Sequence, residues 1–89
     1  MRVDVYDTYA TTAEGQVIHF DVLIASGRDS QKAYEHAEYW LRSINQENVL
    51  LRQEECRFCH QENASASIAR DIETKGFHII QMEGCPNPA

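Results

Sequence analysis

Apolar and polar residues alternate along residues 2–10 and again along 16–25, the two-residue period of strands that bury one face. Thr11, Thr12, Ala13, Glu14 and Gly15 lie between them as a short polar turn ending in glycine, so the two segments predict an antiparallel hairpin. Pairing Val3 with Ile24, Val5 with Val22 and Tyr9 with Ile18 collects apolar residues on one face, whereas a one-residue slip sets Val5 against Asp21. That register leaves Asp7 opposite Phe20 on the otherwise apolar face. It groups Tyr6, Thr8, His19 and Asp21 on the other face as a candidate surface.

The period then changes to that of a helix. From an N-cap at Asp29 or Ser30 to about Ile44, Ala33, Ala37, Trp40, Leu41 and Ile44 fall on one stripe, with Lys32, Glu35, Glu38 and Arg42 outside it. Val49 to Gln53 suggests a third strand that delivers the chain to a loop at Glu54 and beyond. A cap at Asn63 or Ser65 opens a second amphipathic helix through Lys75, carrying Ala64, Ile68, Ala69 and Ile72, and Gly76 is placed to stop it. Phe77 to Met82 reads as a fourth strand, and residues 83–89 as an irregular C-terminal tail. The order β-β-α-β-α-β predicts one α+β domain over residues 1–89. Its expected form is a two-layer sandwich, a mixed four-stranded sheet with both helices on one face. The bare sheet face or an edge strand is then available for self-association or an unknown protein partner.

At 89 residues, 43% hydrophobic and 25% charged, the chain has the composition of an ordinary folded domain with one core. A net charge of -6, spread from Asp4 to Glu83, excludes the basic face that nucleic acid or an anionic membrane requires. The longest clearly apolar run, Val22 to Ala25, is far short of a membrane span. The acidic start, Met1 to Asp7, lacks the pattern of an export signal, and a cytoplasmic location is expected. Three cysteines, an odd number, argue for reduced thiols and against a disulfide framework.

Two of those thiols stand in Cys56-Arg57-Phe58-Cys59-His60, where reactive ligands concentrate. As a zinc site, Cys56 and Cys59 need two more ligands to close a tetrahedron; Cys85 and His60 are the candidates, with His78 as an alternative fourth and His19 after it. As a redox pair, one thiol needs a lowered pKa; Arg57 helps while Glu54 and Glu55 oppose it. Covalent haem matches the letters, with Met82 as a distal ligand, but lacks the export context. The remaining reading is a structural loop of well-packed thiols. Asp7 is separately a candidate acid or base, or a carboxylate that caps nearby backbone donors. No nucleophile elbow or phosphate loop is present, so the expectation leans away from an enzyme. It favours a small non-catalytic binding or interaction protein, with zinc binding and thiol redox chemistry as alternatives.

Four blocks, Val5 to Tyr9, His19 to Val22, Gln53 to His60 and Met82 to Cys85, together resemble a small bacterial family known as domain of unknown function number twenty twenty-four. The most distinctive block is Glu-Glu-Cys-Arg-Phe-Cys-His. The resemblance implies a compact α+β protein and brings no activity, catalytic residue or ligand with it.

Overall fold

The hairpin forms where the alternation predicts it, within one residue at each end of the turn. In the computed structural model, which describes residues 1–46 and 48–82, strand β1 (Arg2–Thr11) pairs antiparallel with β2 (Val17–Ala25). Gly15 supports the connecting turn with a φ of 86°, a conformation only glycine adopts without strain. Helix α1 (Ser30–Ser43) follows, with the Asp29 carboxylate accepting from the Gln31 N–H at 3.0 Å. After a helical turn at Gln53–Glu55 come β3 (Cys56–Asn63), α2 (Ala66–Lys75) and β4 (His78–Gln81). The Ser65 hydroxyl accepts from the Ile68 N–H to cap α2, and Gly76, at φ 94°, ends it.

The sheet order is β3-β1-β2-β4 and every pairing is antiparallel, so the α+β class holds while the expected mixed sheet does not. The reason is the crossover through α1. It carries the chain from β2 past β1 to the far edge, where β3 runs antiparallel to its new neighbour.

The helices lie on opposite faces of the sheet, correcting the two-layer expectation. Val3, Asp4, Val5 and Tyr6 are buried in succession, as are Val22, Leu23 and Ile24, which only a strand covered on both sides can achieve. On one face Tyr6, Ala10, Ile18, Phe20, Val22 and Ile24 pack under Ala33, Ala37, Trp40 and Leu41 of α1, with the Phe20 and Trp40 rings 4.6 Å apart. On the other, Val3, Val5 and Leu23 pack against Ile72 and Ile68 of α2.

Two-sided burial also moves the register. Val3 pairs with Ala25, Val5 with Leu23 and Tyr9 with His19, one residue away from the arrangement that collects all apolar residues on one face. Two cores of opposite parity satisfy Val5 and Phe20 at once. The expected strand at Val49 to Gln53 reduces to a bridge in which Thr11 and Leu50 exchange backbone hydrogen bonds of 2.9 and 2.7 Å. The third strand is instead the cysteine run, which is therefore not a loop. It is an edge strand with only Cys56 buried, so it carries no alternating signal.

Two polar ties fix the loops. Asp4 is buried and accepts from the Ser26 hydroxyl at 2.9 Å and the Gly27 N–H at 3.3 Å, holding the turn into α1. Asp71 of α2 meets His78 of β4 at 2.8 Å and Lys75 at 3.1 Å.

Candidate functional site on the open half of the sheet

Helix α2 has ten residues, about 15 Å of helix, and cannot cover the whole face beneath it. It lies over the Val3, Val5 and Leu23 end. The remaining positions of the same parity, Asp7 and Tyr9 on β1 with His19 and Asp21 on β2, are half-buried or exposed.

Strand pairing sets Asp7 directly opposite Asp21 and Tyr9 directly opposite His19. His19 reaches diagonally to Asp7, with its Nε2 2.5 Å from the Asp7 Oδ1. The Tyr9 ring stacks on the imidazole at 4.2 Å and 8°, which fixes the ring plane. One ligating atom from each of Asp7, His19 and Asp21 lies within 4.8 Å of the other two, and among the described residues no other three His, Cys, Asp or Glu side chains gather so closely. Partial burial, and then the Asp7 carboxylate, hold Asp21 above the usual carboxylate range, while His19 and His60 act in the opposite sense. His60 and Glu62 of β3 share this face, opposite Val5 and Val3, and meet each other at 2.7 Å.

The cysteine run is divided by its strand. Cys56 stands opposite Thr8 on the α1 side, buried, its sulfur accepting from the Thr8 hydroxyl at 3.5 Å. Burial pushes its thiol pKa up. Cys59 is exposed and is the extra residue of a bulge between Phe58, opposite Tyr6, and His60, opposite Val5. His78 lies on β4, three strand spacings or about 14 Å across the sheet from β3. Cys85 lies outside the described residues.

The expected polar group of Tyr6, Thr8, His19 and Asp21 is likewise split. Tyr6 and Thr8 face α1 and are buried, and Asp7 takes their place beside His19 and Asp21. The two-residue period does put Asp7 with Tyr9, and His19 with Asp21, on common faces. Joining the two pairs needs the true register.

An antiparallel sheet between two short helices, with a His and two carboxylates on its uncovered half, defines a small domain of the α+β class. Residues 1–82 match the family described as Domain of unknown function (DUF2024), and the chain belongs to it. It is also similar to protein NE1680 from Nitrosomonas europaea, whose NMR structure aligns with a TM-score of 0.84 at 45% identity, covering 97% of this chain and 100% of that one. Among curated proteins, none matches the chain. No helix among the described residues is long and apolar enough to cross a membrane.

Proposed function

We propose that this chain is a small non-catalytic binding protein of the bacterial cytoplasm, and that its open sheet face holds a divalent metal ion, zinc foremost, through Asp7, His19 and Asp21. The carrying observation is the convergence of their three ligating atoms within 4.8 Å. Ligand atoms on a tetrahedral zinc stand roughly 3.3 Å apart, so side-chain adjustment alone closes the set, with His19 Nε2 released from Asp7 to bind the ion. Two carboxylates directly opposite on adjacent strands repel, and a dication between them turns that cost into attraction. One imidazole and two carboxylates suit zinc or manganese and leave a coordination position open.

The net charge of -6 speaks against a nucleic-acid partner, and the free thiols of Cys56 and Cys59 suit a reducing compartment. Burial and a raised pKa at Cys56 weigh against a thiol redox role. Calorimetric titration with zinc tests the reading: wild type takes up one ion, and Asp7→Asn combined with Asp21→Asn abolishes uptake. A paired Cys56→Ser, Cys59→Ser variant should bind as wild type does. Loss of zinc in the cysteine variant, with retention in the carboxylate variant, moves the metal to the site of Cys56, Cys59, Cys85 and His60.

A further inference from the structure

Next to the metal cluster lies a groove that the cluster itself does not use. It has a volume of about 500 Å³ and is lined by Tyr9, Thr11, Val17, Leu50, Arg52 and Glu55. That size is within the range of small-molecule sites. Tyr9 is the shared wall, because the ring that lines the groove also stacks on His19. Thr11 and Val17, the next pair of the same parity, continue the face, and the paired backbone bonds between Thr11 and Leu50 hold the far wall in place.

Three large apolar side chains stay exposed along this one channel: Tyr9, Val17 and Leu50 at 39, 50 and 55%. Exposed apolar surface gathered in a concave channel, and not scattered, marks a binding surface. From the Asp7 and Asp21 pair to the Thr11 and Val17 pair is four residues of strand, or about 13 Å. Arg52 and Glu55 bring one charge of each sign to the lining, so the groove has no net charge of its own.

We infer that the metal centre and the groove form one site for a medium-chain organic anion, its carboxylate completing the coordination of the metal and its aliphatic tail lying over Tyr9, Val17 and Leu50. This rests on the metal reading given above. The occupant follows from complementarity: an ion with an open coordination position at one end, and at the other a channel of matching length with three exposed apolar side chains, Tyr9, Val17 and Leu50.

The experiment uses the zinc-loaded protein and two probes, octanoate and acetate, followed by calorimetry. Octanoate should bind at least about tenfold more tightly than acetate, as burial of several methylenes requires. Removing zinc with a chelator should abolish binding of both. Leu50→Asp, an exposed position whose backbone bridge is unaffected by the side chain, should bring octanoate down to the acetate level while leaving zinc affinity unchanged. Equal affinity for the two probes, octanoate binding that persists in chelator, or an unaltered octanoate affinity in Leu50→Asp would each overturn the inference and leave the metal reading standing. Failure of the wild type to take up zinc would remove both.

Discussion

Replacing Asp21 by Asn should stabilise the metal-free protein and weaken its response to metal, two opposite effects of one charge. Asp21 faces Asp7 with ligating atoms within 4.8 Å. Two unit charges at that distance repel by about 0.9 kcal/mol in bulk water and about 3.5 kcal/mol at an effective dielectric of 20. Half-exposure and the His19 contact with Asp7 reduce this, and the range measured for cross-strand pairs gives a net gain of about 0.5–1 kcal/mol for the variant in chelator. With zinc at a hundred times its dissociation constant, the wild type gains about 2.7 kcal/mol; a variant with tenfold weaker affinity gains about 1.4 kcal/mol. The order of stability should therefore invert between chelator and excess zinc. Urea unfolding under both conditions measures this directly. A variant less stable than wild type in chelator would refute the repulsion argument. An equal gain from zinc in both proteins would refute the ligand assignment.

Three further outcomes follow from the burial pattern. Under native conditions an alkylating reagent should modify Cys59 rapidly and Cys56 only on the timescale of opening, because Cys56 is buried with a raised thiol pKa; equal rates would contradict its placement beneath α1. His36, stacked on Phe77 at 4.7 Å, has its pKa lowered chiefly by burial, so the unfolded chain binds its proton first. Its stabilising contribution is complete above about pH 6.5, the unfolded value, and declines as pH falls through the folded one, which NMR titration of the ring and unfolding at several pH values will register. Ile72→Ala removes the main contact of α2 with Val3, Val5 and Leu23 and should cost about 2–4 kcal/mol, leaving near-ultraviolet signals of Trp40 on the other face largely unchanged in the folded state.

The features that the sequence determined by itself are those decided within a few residues. Asp29, Ser65 and Gly76 mark helix ends because capping hydrogen bonds and a positive φ are local matters, and both helices lie where their stripes predicted. The hairpin was legible for the same reason, from its period and its glycine-ended turn. Tertiary structure decided the rest. Register depended on whether one or both faces of β1 were covered, and α2, the element that covers the second face, begins only at Ala66, far along the chain from β1. Strand β3 is illegible in the sequence because an edge strand with one buried residue leaves no apolar period to read. Alternation alone places His19 and Asp21 on one face. Asp7 joined them, and Tyr6 and Thr8 left, only when a one-residue shift exchanged the faces of one strand relative to its partner.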